Sequence, residues 1–242
     1  MLKILITGAS TGIGAATALE LAENNEIFVH YNASRDEAEL VAAGIRAKGG
    51  TPHLVQANLM DAVGCESLYT QLAGVTDSLD VLVNNAGGLI ERHTVKDMTW
   101  DLMERIFALN TFSTMLMTRL CLPLLEKGSN ATVINMTSIA MRFGAPSATL
   151  YAASKSAIDS YTRGAARELA PKIRVNAIAP GVILTPFHER YSTAERLEAM
   201  RSNTPLGEHG ESEHIASAVR FLIENTFITG ETIDINGGMF MR

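Results

Sequence analysis

Thr7-Gly8-Ala9-Ser10-Thr11-Gly12-Ile13-Gly14 joins a strand-like run, Lys3-Ile4-Leu5-Ile6, to a helical pattern that begins at once. Glycines at such a junction let the backbone turn tightly and approach a ligand without Cβ clashes. The helix start then offers unpaired N–H groups that favour a phosphate. The residues placed to meet that ligand are Gly8, Ser10, Thr11, Gly12, Ile13 and Gly14. The spacing is Gly-x-x-x-Gly-x-Gly rather than Gly-x-Gly-x-x-Gly, and no Gly-Lys-Ser/Thr follows, which excludes a nucleotide-triphosphate P-loop. Gly8-Ala9-Ser10-Thr11-Gly12 also fits Gly-x-Ser-x-Gly, the nucleophile elbow of α/β hydrolases, and would make Ser10 the nucleophile of a serine hydrolase. Against that reading, no earlier strand is present to bring an oxyanion loop, and Gly14 has no purpose in an elbow. A ligand-free glycine turn leaves the glycine pattern unexplained.

Outward from this loop, runs rich in β-branched residues alternate with helical patterns. The strand-like runs are 2–6, 26–31, 53–57, 80–84, 131–136, 174–179 and 232–235; helices are expected over 13–23, 35–47, 62–72, 99–126, 150–169 and 212–223. That alternation predicts an α/β fold, a doubly wound, parallel, seven-stranded sheet with helices on both faces. No linker or repeat divides the chain, so residues 1–242 are read as a single dinucleotide-binding catalytic domain. Ligands are expected at the carboxyl ends of the strands.

Composition narrows the partners. The net charge is −6, and no basic run stands out, so neither nucleic acid nor an anionic membrane is an expected partner. Cys65 and Cys121 fit no metal or disulfide spacing and read as buried thiols of a reducing compartment. The first residues enter a strand without signal-peptide anatomy, and no apolar run is long enough to cross a bilayer. The expectation is a soluble cytoplasmic protein that binds no metal.

The remaining chemistry lies at strand ends. The second strand ends His30-Tyr31-Asn32-Ala33-Ser34-Arg35, with no acidic residue before Asp36. An acid there would hold an adenosine 2′-hydroxyl and repel a 2′-phosphate; Asn32, Ser34 and Arg35 could instead hold a phosphate. Ser34-Arg35-Asp36-Glu37 also reads as a capping box for the next helix. Asn58 and Leu59 are placed to meet an adenine ring. Asn84-Asn85-Ala86-Gly87-Gly88 suits a tight turn beside a flat ligand. Asn110 falls inside the long pattern 99–126, which Thr99 is expected to cap, and either disturbs that helix or points outwards.

Ser138 ends the fifth strand and precedes Tyr151, which stands four residues before Lys155. Residues four apart share a helix face, and Ala152, Ala153 and Ser154 leave room beside them. A phenol titrates near pH ~10, and a neighbouring ammonium favours its ionised form. Bringing it near neutrality takes roughly 4 kcal/mol, so a second cation or helix N-terminus must help Lys155. The expected task is proton transfer at an oxygen shared with Ser138. Pro180-Gly181 ends the sixth strand, with Ile183 and Thr185 close behind. The segment around 185–210, containing Phe187, Tyr191, Met200 and Leu206, is a candidate substrate lid. His209 and His214 show no metal spacing and are expected to face solvent.

Together these motifs resemble the short-chain dehydrogenase/reductase family, with the 3-oxoacyl-acyl-carrier-protein reductase branch as the nearest flavour. The resemblance spans nearly the whole chain: Thr7–Gly14, Asn84–Gly87, Asn110, Ser138, Tyr151 with Lys155, Pro180-Gly181 with Thr185, and Ile235-Asn236-Gly237-Gly238. It implies hydride transfer between NADP(H), or NAD(H), and a carbonyl or secondary alcohol. Tyr151 would be the acid, Ser138 would polarise the carbonyl, and Lys155 would hold the nicotinamide ribose and lower the Tyr151 pKa. Asn110 would anchor a water leading to Lys155. Asn85, Ala86 and Gly87 would border the adenosine ribose, and Ile183 and Thr185 the carboxamide. A homotetramer is also implied, with the 99–126 and 150–169 helices paired and Gly164, Ala165 and Ala166 as a small packing face. Thr11 stands where NADP-preferring relatives often carry a cation, so the NADP preference rests on Ser34, Arg35 and the missing acid. Ser129-Asn130 replaces one basic docking residue of acyl-carrier reductases, while Lys172 fits the other. Arg142 could meet an anionic group of a small substrate or be a surface charge. An NAD-dependent sugar or alcohol dehydrogenase, and an idle dinucleotide sensor, are the alternatives within the same fold.

Overall fold

Alternate residues of each central strand face opposite sides of the sheet, and both sides are apolar. Ile4, Ile6, Ile27, Val29, Val81 and Val83 join one core. Leu5, Phe28, Leu82, Val133 and Val175 join another. Strands buried on both faces are what a parallel sheet covered by helices requires. In the computed structural model, which describes residues 1–241, the strands are β1 (Lys3–Ile6), β2 (Glu26–Tyr31), β3 (Thr51–Gln56), β4 (Val81–Asn84), β5 (Thr132–Met136), β6 (Arg174–Pro180) and β7 (Thr232–Ile235). Their order is β3-β2-β1-β4-β5-β6-β7 in one seven-stranded sheet, and every pairing is parallel. The winding direction reverses between β1 and β4, so the glycine loop after β1 and the asparagine turn after β4 flank one crevice.

Helices α1 (Gly12–Glu20), α2 (Arg35–Ala47), α3 (Ala62–Ala73), α4 (Trp100–Phe107), α5 (Ser113–Leu125), α6 (Ala140–Phe143), α7 (Thr149–Leu169), α8 (Pro186–Tyr191), α9 (Ala194–Ser202) and α10 (Ser212–Glu224) complete the fold. The first core draws on α1, α2 and α10, the second on α3, α5 and α7. Among the described residues, no helix is long and apolar enough to cross a membrane.

Several local expectations change. Helix α1 stops short of 23, because Leu21 caps it and Asn25 Nδ2 donates to Leu21 O at 2.9 Å. The 99–126 pattern is not one helix: a π turn over Ala108–Phe112 separates α4 from α5. Thr99 does cap α4, accepting from Leu102 N at 3.2 Å. The capping box at Ser34 does not form. Ser34 precedes α2, but its φ of −86° and ψ of 68° leave its side chain without a cap hydrogen bond. The poorly periodic stretch after Thr185 contains the short helices α8 and α9.

Candidate active site

The loop after β1 is held from three strands. Gly8 takes φ +63° and Gly12 φ +54°, conformations an L side chain strains to adopt. A Cβ on Gly14 would stand 2.1 Å from Gly8 O, so helix and loop touch there only because the side chain is a hydrogen. Asn85 Nδ2 donates to Thr7 O at 2.9 Å and Gly8 O at 3.0 Å. Thr7 Oγ1 accepts from the Asn85 and Ala86 amides, each at 2.9 Å. Thr11, extended at φ −144°, starts α1 with no side-chain cap, so the first-turn amides face the crevice free of a competing hydroxyl.

The crevice is a cleft of about 750 Å³. Gly8, Ser10, Thr11, Gly12 and Ile13 line one end, together with Asn32, Ser34, Asn58 and Leu59. Asn85, Ala86 and Gly87 also line it, as do Pro180, Gly181, Ile183 and Thr185, the last packed against Gly12. Gly14, Arg35 and Asn110 are outside that lining.

At the floor of the cleft stand Ser138, Tyr151 and Lys155. The Ser138 hydroxyl accepts from Ala140 N at 3.1 Å and is near enough to the Tyr151 hydroxyl to favour its ionised form. Lys155 is buried, donates from Nζ to Met136 O at 2.9 Å, and lies 5.8 Å from the Tyr151 ring centroid. Burial lowers Lys155 to about 8. Burial raises Tyr151 above the ordinary phenol value, with the neighbouring Ser138 side chain opposing it. The expected lowering by Lys155 is therefore not a property of the chain's own groups, since desolvation dominates and the ammonium is turned toward Met136. Asn110, fully buried, forms a two-point clamp: Oδ1 accepts from Gly88 N at 3.0 Å, and Nδ2 donates to Gly88 O at 2.8 Å. A third bond, from Nδ2 to Ile106 O at 2.9 Å, occupies a helix carbonyl left over by the π turn. Gly87 fits between the two sites, because a Cβ there would lie 2.7 Å from Asn110 Oδ1 and 3.0 Å from Lys155 Nζ.

The family model described as "Enoyl-(Acyl carrier protein) reductase" matches residues 8–240. The 3-oxoacyl-[acyl-carrier-protein] reductase FabG of Staphylococcus aureus is 37% identical, covering 98% of this chain and 97% of that one. The chain belongs to the short-chain dehydrogenase/reductase family. A short-chain dehydrogenase from Burkholderia cenocepacia solved with NADP is 31% identical with a TM-score of 0.89, covering 98% of this chain and 97% of the other. The NADH-dependent reductase A1-R′ of alginate metabolism, at 29% identity and a TM-score of 0.91, covers 100% of this chain and 98% of that one. This member of the family is an oxidoreductase with one Rossmann-like domain.

Some predicted site residues are elsewhere in this short-chain dehydrogenase/reductase. Arg35 pairs with Glu39 at 3.0 Å on the exposed side of α2. Arg142 is neither a substrate contact nor a loose surface charge. It makes a two-point ion pair with Asp234, at 3.2 and 3.1 Å, and lies over the Phe240 ring. Of the two readings of Asn110, the disturbed helix holds: it lies in the π turn, and its side chain bonds Gly88 and Ile106 rather than pointing outwards. Ala165 and Ala166 are buried in the core, which leaves Gly164 as the one small residue of the three on the exposed side of α7. His214 accepts from Glu211 N at 3.0 Å at the start of α10, and His209 is half-buried with Nδ1 enclosed.

His30 is the residue that sequence reasoning missed. Its Nδ1 accepts from Gly8 N at 2.9 Å and its Nε2 lies 3.1 Å from Ala57 O, which fixes a neutral Nε2–H tautomer. It thus braces the glycine loop against β3. Burial pulls His30 down to about 4, against ~6.5 in an unfolded chain. Between those values the unfolded state binds more protons, so this stabilisation is complete above pH ~6.5 and is lost as pH falls toward the folded value. The full shift corresponds to roughly 3 kcal/mol. The melting temperature is expected to fall across that window, and His30→Gln to flatten the fall. An equally steep profile in the variant, followed by calorimetry, would remove His30 as the cause.

Proposed function

We propose that this chain is an NADP(H)-dependent carbonyl reductase, or alcohol dehydrogenase in reverse, acting on a small molecule. One observation carries the reading: Ser138, Tyr151 and Lys155 line the same cleft as a glycine loop and helix start. The loop and α1 amides hold the pyrophosphate, and Lys155 holds the nicotinamide ribose. The cofactor supplies a hydride to the carbonyl carbon. Ser138 donates a hydrogen bond to the carbonyl oxygen, and Tyr151 gives that oxygen its proton. Burial suits this direction, because it keeps the proton on Tyr151 until negative charge develops beside it. Asn110 acts as a positioning residue: its clamp on Gly88 fixes the turn after β4 beside the Lys155 ammonium.

The cofactor preference is supported by the adenosine end of the cleft. No Asp or Glu lines it among the described residues, while Asn32, Ser34 and Thr11 do. The Burkholderia cenocepacia relative and the ketoreductase LanV were both solved with NADP. A1-R′, by contrast, is an NADH-dependent reductase, which keeps NAD(H) as the alternative. Arg35 would have to leave Glu39, which costs little for an exposed i,i+4 pair. NADPH is expected to bind about ten- to a hundredfold more tightly than NADH. Fluorescence titration with both reduced cofactors checks this, and Arg35→Ala should reduce the gap. Equal affinities would assign Ser34 and Arg35 no part in recognition.

A 3-oxoacyl thioester substrate is supported by the Staphylococcus aureus relative, whereas Ser129-Asn130 speaks against acyl-carrier docking. Phe187 of α8, 6.0 Å from the Tyr151 ring, supports a lid over 185–210. Exposed Trp100 and Phe112, on the α4–α5 side, support a homotetramer. A cytoplasmic location completes the reading. A turnover screen with both reduced cofactors against acyl, sugar, diketone and steroid carbonyls tests it, and cofactor binding without turnover would favour a dinucleotide sensor.

A further inference from the structure

Among the described residues, the lid side of the cleft carries an unbalanced positive charge. Arg92, from the loop after β4, donates from Nε to Tyr191 O at 2.7 Å and from Nη1 to Ser147 Oγ at 3.3 Å. Arg196 of α9 reaches the same hydroxyl, at 3.5 Å. Two guanidinium groups from separate elements are thus drawn to one neutral oxygen. Neither takes part in any ion pair among the described residues. Both line the cleft, which no described Asp or Glu lines. Burial and the Arg196 charge together depress Arg92. His188, beside them, is pushed to about 4 by burial and by the charges of His209, Arg92 and Arg196. Like charges left unpaired in a half-buried site cost free energy, and an anion placed between them reverses the sign. A guanidinium fork matches a carboxylate in shape as well as charge.

The pair shares the cleft with Ser138 and Tyr151 and is linked to Tyr151 through the lid. Ser147 stands just before α7, which carries Tyr151. The ring of Tyr191, whose carbonyl Arg92 holds, is 5.1 Å from Phe187, and Phe187 is 6.0 Å from Tyr151. We propose that the substrate is a keto acid, its carbonyl at Ser138 and Tyr151 and its carboxylate between Arg92 and Arg196. This rests on the reductase reading and narrows its substrate class. Ser147 then serves as the neutral spacer that keeps both forks aimed inward.

The test compares kcat/KM for pyruvate, acetoacetate and levulinate with their methyl esters, and with dihydroxyacetone phosphate, using NADPH. The best keto acid should exceed its ester by about tenfold or more, as a charge-assisted contact implies. Arg196→Gln should bring that ratio near unity, and Arg196→Lys should keep part of it. Arg196 is the better variant, because Arg92 also holds the lid through Tyr191. An ester reduced as well as its acid, or a preference that survives Arg196→Gln, overturns the proposal. A preference for dihydroxyacetone phosphate over every keto acid overturns the carboxylate and assigns a phosphate. Where no carbonyl is reduced, calorimetry of malonate with the NADP-loaded protein separates the two readings. Malonate binding that Arg196→Gln abolishes upholds the anion site and rejects only the reductase. Absence of malonate binding overturns the anion site itself.

Discussion

Tyr151→Phe is expected to lower kcat by about 10³-fold, within the range positioned acids contribute, while cofactor affinity stays close to that of the wild type. The ring, which lies 6.0 Å from Phe187 and 5.8 Å from Lys155 Nζ, is retained. Only the hydroxyl with its transferable proton is removed. Ser138 keeps its contact with Ala140 N, at 3.1 Å, so the strand end should hold its shape. Stopped-flow measurement of NADPH oxidation, with a cofactor titration alongside, checks both halves. A variant retaining a tenth or more of the wild-type kcat would falsify Tyr151 as the acid.

Lys155→Ala should impair binding and rate together. The wild-type ammonium is assigned a ribose contact, and hydrogen bonds to charged groups contribute about 1.5–3 kcal/mol. The cofactor Kd should therefore rise about ten- to a hundredfold, with kcat falling as well. Truncation also strips Met136 O of its Nζ donor, 2.9 Å away in the wild type. Loss of a buried partner costs about 1–3 kcal/mol, so the melting temperature should fall. Burial sets Lys155 at about 8. Its charge is present below that pH and lost above it, so wild-type affinity should weaken as pH rises through about 8, whereas Lys155→Ala should lack that step. An unchanged Kd in the variant removes the ribose contact, and a retained pH step assigns it to another group.

Strand positions were legible because burial on both faces demands uninterrupted apolar runs, and few other segments of the chain have them. The glycine loop was legible for a comparable reason: only glycine tolerates the φ of Gly8 and the contact at Gly14. Tyr151 and Lys155 could be paired because helix geometry places residues four apart on one face. The roles of Asn110 and Arg142 were not legible. Asn110 is defined by a π turn and by Gly88, and Arg142 by Asp234 on the last strand. Both partners are distant in sequence, and periodicity carries no information about them.

By itself, the sequence determined the parallel sheet, the glycine loop and the placing of Tyr151 and Lys155 on one helix face, because each depends on local backbone geometry or short spacing. Tertiary structure alone decided which polar groups remain available for a ligand. It spent Asn85 on Thr7 and Gly8, set His30 under the glycine loop, paired Arg35 with Glu39, and left Arg92 and Arg196 facing each other across Ser147. A side chain's chemistry is fixed by its type, whereas its availability depends on which partners the fold brings within hydrogen-bond reach.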